Sequence, residues 1–220
     1  MGDVVRDLER LEKIVPQAGL LSLGPKIFMD LVAAELKQQN KTGQKMEVSK
    51  ALSSIAEKPE VQLTPLGRQK VRAMAIFSTQ PKKAVDSGIQ IEILDSKQQN
   101  IPNDWTSYEG RDHAGNLVGE ARFTESGQEM QLEVQAQRLP DTPTNQWRLS
   151  NLINKGLKAE EGKFRGARES LSPLESISVF TYAKASDPVV LGALHRNGFV
   201  IAGFTHSENI KLTKQLSGKK

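Results

Sequence analysis

The spacing of apolar residues changes near residue 78 of this 220-residue chain, and that change restricts the folds open to it. Before it, Val4, Leu8, Leu11 and Val15, then Phe28, Leu31, Val32 and Leu36, then Val48, Leu52 and Ile55 recur with the period of helices that bury one stripe. After it, Ile89, Ile91 and Ile93 alternate with polar residues, and Met130, Leu132, Val134 and Ala136 alternate with Glu129, Gln131, Glu133 and Gln135. Such alternation marks half-buried strands. The expectation is an α+β protein, with a helical segment over residues 1–82 and a domain of strands and helices over 83–220.

Local signals place the element ends. Asp3 is the expected cap of the first helix, which Pro16 stops. Gly24-Pro25 opens the second, the polar stretch Gln38 to Gln44 follows it, and a third covers Met46 to Glu57. Thr64-Pro65, a cap followed by a first-turn proline, launches the fourth. Further on, the turn-rich Asp112 to Asn116 joins Trp105–Gly110 to Leu117–Thr124 as a hairpin. Pro140 and Pro143 break the chain, and Thr144 or Asn145 then caps a helix through Trp147, Leu149, Leu152, Ile153 and Leu157 that Gly162 or Gly166 ends or loosens. Ser176 to Ala183 reads as a buried strand. Asp187-Pro188 starts a short helix that Gly198 terminates, before strands at Val200–Phe204 and Ile210–Leu216.

Composition excludes several chemistries. The absence of cysteine removes disulfides, thiolate metal sites and a cysteine nucleophile. His113, His195 and His206 stand at no metal-ligand spacing, so no metal site is expected. No apolar run reaches the roughly 18–20 residues of a membrane span, and the charged start MGDVVRDLERLEK is unlike a signal peptide, which leads to the expectation of a cytoplasmic protein without membrane contact. The net charge of +4 is uneven: Arg138 to Lys220 carries 13 basic and 7 acidic residues. A basic half suits an anionic partner, whether a phosphorylated cofactor, nucleic acid or an acidic protein.

The segment Asp187-Pro-Val-Val-Leu-Gly-Ala-Leu-His-Arg-Asn-Gly198-Phe199 resembles the last helix of the GNAT acyltransferase superfamily, and the order of elements around it matches over roughly residues 84–217. The resemblance implies a mixed, mostly antiparallel sheet flanked by helices. It also implies transfer of an acyl group, usually acetyl, from acyl-CoA to an amine acceptor, with acetyl-CoA as cofactor. In that family the loop after the fourth strand cradles the pyrophosphate with the pattern Arg/Gln-x-x-Gly-x-Gly/Ala. Here it reads Gln137-Arg-Leu-Pro-Asp-Thr-Pro-Thr-Asn145, with no glycine, two prolines that lack N–H donors, and Asp141 where phosphates would lie. Three readings stay open: a cradle built from Arg138, Arg148 and the backbone of Thr144, Asn145, Gln146 and Trp147; a different ligand; or a scaffold that has lost acyl-CoA.

The chemistry needs a base for the amine proton and an acid for the leaving thiolate. Glu133 lies on the strand resembling the one that often supplies the base. The family's usual acid, a tyrosine four residues before the glycine of the Gly-Phe pair, is replaced by Leu194, which leaves His195 and Tyr182 as candidates by type. The alternative from a different class is a non-catalytic GNAT-like binding or structural module for a protein or nucleic-acid partner. Lys155, Lys158, Lys163, Arg165 and Arg168 form a basic helix running into a loop, which fits a nucleic-acid backbone with Phe164 available for stacking and equally fits the adenosine 3′-phosphate of coenzyme A.

Overall fold

The structure is a computed structural model that describes residues 2–20, 23–79, 90–94, 104–126, 129–136, 139–167 and 176–216. The chain forms two compact units. One comprises Met1–Pro81, Lys184–Asp187 and Ile201–Lys211, and the other Lys82–Ala183, Pro188–Val200 and Leu212–Lys220. Among the described residues, no helix is long and apolar enough to cross a membrane, and no cluster of His, Cys, Asp and Glu could hold a metal ion.

The first unit contains α1 (Gly2–Ile14), a 3-10 turn over Val15–Gln17, α2 (Pro25–Lys41), α3 (Val48–Glu57) and α4 (Pro65–Phe77). Helix α1 begins at Gly2, so Asp3 lies within it rather than at the cap, and Pro16 tightens the end into the 3-10 turn. The stripes read from spacing are the core: Leu11, Val15, Phe28, Val32, Leu52 and Ile55 are buried, joined by Val71 and Met74. Thr64 caps α4 by accepting from the Gly67 amide at 3.0 Å, with Pro65 in the first turn. Arg68 donates to the carbonyls of Ala56, Lys58 and Val61 at 2.8, 2.9 and 2.9 Å, which satisfies acceptors left over at the end of α3. The buried Lys70 ammonium donates to the carbonyls of Ala18 and Thr205, at 3.0 and 3.2 Å, and burial lowers its pKa.

The second unit holds the larger part of a sheet whose strands are β1 (Gln90–Leu94), β2 (Thr106–Arg111), β3 (Leu117–Ser126), β4 (Glu129–Ala136), β5 (Ile177–Lys184), β6 (Val200–Phe204) and β7 (Asn209–Leu216), in the order β1-β2-β3-β4-β5-β7-β6. Strand β6 from Ile201 and the first residues of β7 are grouped with the first unit. Pairings β1–β2, β2–β3 and β3–β4 are antiparallel and β4–β5 is parallel. The fold is therefore α+β on a mixed, mostly antiparallel sheet, with elements from β1 onward in the order that the sequence implied. Ile89, read as part of the first strand, lies outside the described residues. Asp112 makes the expected hairpin turn, its carboxylate accepting from the amides of Ala114 and Asn116 at 2.9 and 3.0 Å.

Helix α5 (Pro143–Ala167) and helix α6 (Pro188–Arg196) complete this unit. Thr142, not Thr144 or Asn145, caps α5: its hydroxyl accepts from the Asn145 amide at 3.2 Å, and Pro143, expected to break the chain, occupies the first turn. The helix continues through Gly162, which is exposed and costs only about 1 kcal/mol of helix propensity there. It buries Leu149, Leu152, Ile153, Leu157 and Phe164. Contact with the sheet is close: a methyl at Gly119 of β3 would stand 2.6 Å from the Gln135 carbonyl oxygen and 3.0 Å from Leu149 Cδ1. Helix α6 ends as expected, with Gly198 at φ +79°, Gly198 N–H donating to His195 O at 2.9 Å and Phe199 N–H to Leu194 O at 3.2 Å. Asn197 locks that end onto α5 by donating to Ser150 O and Oγ at 2.9 and 3.0 Å.

Candidate functional site

A parallel pair in the middle of a sheet ordinarily runs the length of its strands. Here the pairing of β4 with β5 comprises Met130↔Val179, Gln131↔Phe180 and Leu132↔Thr181. Beyond it, β4 continues through Ala136, still paired with β3 as far as Gly119↔Ala136, and β5 continues past Tyr182 and Ala183. Among the described residues, Glu133–Ala136 of β4 and Tyr182–Ala183 of β5 thus lie beyond the stretch in which the two strands pair with each other. Such edges in the interior of a sheet form a slot for an extended chain bearing amides.

Two of the three catalytic candidates stand at this slot. Gln131 and Phe180 are opposite each other, so two residues further on, Glu133 and Tyr182 occupy the same face of the sheet on either side of the gap. Tyr182 is 48% exposed, with its ring edge-on to Phe180 at 6.1 Å. Glu133 accepts from Gln135 Nε2 at 3.1 Å and lies across from Arg122 on β3. Arg122 binds Glu120 through two bonds of 2.8 Å, and these bonds together with the charges of Glu120 and Glu133 raise its pKa despite partial burial. Proton-accepting and proton-donating groups therefore face a polar surface.

His195 is elsewhere. It is 8% exposed at the end of α6, which packs on α5. Helix α5 covers the face that carries Phe123 and Leu132, since Phe123 lies against Gly156 and pairs with Leu132. Glu133 and Tyr182 are on the other face, so the structure does not bring His195 to them.

The expected cradle lies at the start of α5, and the structure gives it mixed character. Gln146 N–H donates to Thr142 O at 3.0 Å and Asn145 N–H to Thr142 Oγ1, so both amides are already engaged. Asn145 is buried, and its side chain donates to Pro140 O at 2.9 Å. The Gln146 side chain donates to Asp141 Oδ1 at 2.9 Å, which holds a carboxylate at the positive end of the helix. Arg148 pairs with Asp112 at 3.5 Å. The bonds to Asp112 from Asn116 and Ala114, together with Arg148, outweigh its desolvation and hold its carboxyl below the usual range. Arg148 is partly exposed beside its pair with Asp112, and Arg138 lies outside the described residues. Arg196 adds a cation that sequence reasoning missed: its guanidinium stacks over Trp147 at 4.7 Å from the ring centre. Its position at a helix end gave no signal beyond the ordinary preference of cations for that place.

With Asp141 replaced by Asn, the neutral isostere keeps the contact to Gln146 and removes the competing charge. Affinity for a phosphorylated ligand at this helix end is expected to rise about 2- to 5-fold at low salt, and the gain to shrink as salt is added. A calorimetric titration of wild type and variant with coenzyme A at two ionic strengths checks this.

The basic segment is corrected in a similar way. Residues 163–165, expected in a loop, are helical, and Phe164 is 3% exposed and so unavailable for stacking on a base. Lys163 pairs with Glu160 at 2.6 Å and Arg165 with Glu161 at 3.1 Å, so these two cations are engaged within the helix. Arg168 lies outside the described residues. A recess of about 230 Å³ beside this end of α5 is lined by Phe123, Met130, Glu160 and Lys163. Glu160 is taken up there by Lys163 and by the Tyr108 hydroxyl, whose pKa burial and Glu160 push up to about 12.

No family model matches the chain, and no curated protein matches it. Among solved structures it is similar to spermidine N-acetyltransferase from Vibrio cholerae in complex with CoA and spermine, at 11% identity over 59% of this chain and 96% of that one, with a TM-score of 0.40. It is also similar to the Campylobacter jejuni N-acetyltransferase PseH in complex with acetyl coenzyme A, at 11% identity over 59% of this chain and 99% of that one, TM-score 0.40. At scores of this size the likeness stands as a resemblance alone.

Proposed function

We propose that this chain binds an acyl-CoA thioester between β4 and β5 and transfers the acyl group to an amine. The observation that carries the reading is the interruption of the β4–β5 pairing after Leu132 and Thr181, in register with Glu133 and Tyr182. The pantetheine arm of coenzyme A is an extended chain with two amides, the chemistry that two unpaired strand edges accept. Arg148, Arg196 and the Thr144 amide are the groups that would hold its phosphates. When bound, acetyl-CoA supplies an activated acyl thioester. Glu133 takes a proton from the attacking amine as the carbon–nitrogen bond forms, and the Tyr182 hydroxyl donates one to the sulfur as the carbon–sulfur bond breaks. The test is release of free thiol from acetyl-CoA in the presence of polyamines, amino sugars and lysine peptides in turn. Thiol release dependent on one of these amines supports the reading, and hydrolysis alone, or no release, counts against it.

A second reading keeps the slot and omits the chemistry. It is favoured by the bond between Asp141 and Gln146, which places a negative charge where phosphates need donors. On that reading the opening receives an extended segment of a protein partner, and coenzyme A does not compete with it.

A further inference from the structure

The buried polar side chains of the second unit are nearly all bonded. Asn197 has three acceptors, Ser150 receives two of those bonds, on its carbonyl and its hydroxyl, and Asn145 reaches Pro140. Thr181 is different. It is 0% exposed, and its hydroxyl has no hydrogen-bond partner. Burying a hydroxyl without a bond is costly, and native structures hold few such groups without a reason. The place of this one is specific: Thr181 is the last residue of β5 paired with β4, opposite Leu132, and the slot opens at the next residue.

We infer that Thr181 is a positioning residue of the slot, its hydroxyl bonding a polar atom of an amide-bearing chain laid between β4 and β5. This rests on the proposed acyl-CoA reading. A threonine hydroxyl both donates and accepts, so it can bond either the N–H or the carbonyl of the pantetheine amide nearest the thioester. Its partner would then arrive with the ligand, which explains an unsatisfied group kept at a site where valine would pack as well.

The test compares Thr181→Val and Thr181→Ser with wild type, by thermal melting without ligand and by calorimetric titration with acetyl-CoA. The valine variant is expected to melt at or above the wild-type temperature, because it loses no bond, and to bind acetyl-CoA about 3- to 10-fold more weakly. Serine is expected to restore the affinity. Unchanged affinity in Thr181→Val, with wild-type binding intact, overturns this inference and leaves the acyl-CoA reading standing. A lower melting temperature for the valine variant also overturns it, since the hydroxyl would then be bonded within the free protein. Absence of acetyl-CoA binding to wild type removes both.

Discussion

Replacing Glu133 with glutamine is expected to lower acetyl transfer by about 10²- to 10³-fold while leaving acetyl-CoA affinity within about twofold, the usual scale for removing a positioned general base. The separation of the two effects is the informative part. Glutamine has the shape of glutamate and can still accept from Gln135 Nε2, so the edge of β4 and the slot should persist. What it loses is the ability to take the proton of the attacking amine. Arg122, opposite Glu133, stays bound to Glu120 in the variant, so the surrounding charges shift little. A matching Tyr182→Phe change acts on the leaving sulfur, whose thiolate departs readily without help, and its effect should be the smaller of the two. Steady-state thiol release and calorimetry on the same preparation check both quantities. Full turnover by Glu133→Gln would remove the residue from the chemistry.

The second large effect concerns stability. Gly119→Ala is expected to destabilise the protein by about 2–3 kcal/mol, toward the upper end for overpacking one methyl, and to lower the melting temperature by roughly 5–10 °C for a chain of this size. The added carbon would meet the Gln135 carbonyl oxygen at 2.6 Å, and that oxygen is backbone, fixed by the β3–β4 ladder. Leu149 Cδ1, 3.0 Å away, closes the other direction. Relief requires Gln135 to move. Since Gln135 belongs to the stretch of β4 beyond its pairing with β5, acetyl-CoA affinity should fall along with stability. A melt followed by circular dichroism, with a shift under 1 °C, would show that the strands accommodate the methyl and that this contact is softer than its geometry.

Much of this fold is written in local chemistry. The change from helical to strand spacing near residue 78 is visible because each element buries one face, and burial enforces periodicity. Gly198 and Thr64 are legible because a left-handed turn and a helix cap each admit few residue types. The start of α5 was misread for a related reason. Pro143 fits a chain break and a first helical turn equally well, and only the bond from Asn145 to Thr142 distinguishes them. The end of α5 was missed because Gly162 is exposed, where a glycine weakens a helix without ending it.

The site was legible in part. Alternation alone places Glu133 on the polar face of its strand, whereas Tyr182 sits in a stretch that reads as a buried strand, and only the structure shows it exposed. Their relation is a matter of register between strands separated by α5, which no local pattern encodes. The gap itself is the absence of pairing, and a sequence that pairs and one that parts can read alike. Thr181 shows the same limit: within Ile177–Lys184 it is an ordinary β-branched residue of a buried strand, and only the place where the partner strand turns away singles it out.

Titration of the wild-type protein with acetyl-CoA, at low and at physiological salt, decides whether the opening between β4 and β5 is an acyl-CoA site. Saturable binding in the micromolar range, abolished by replacing Arg148 and Arg196 together, is the expected result. No heat of binding at millimolar acetyl-CoA would contradict it and leave a sheet whose slot serves a protein partner.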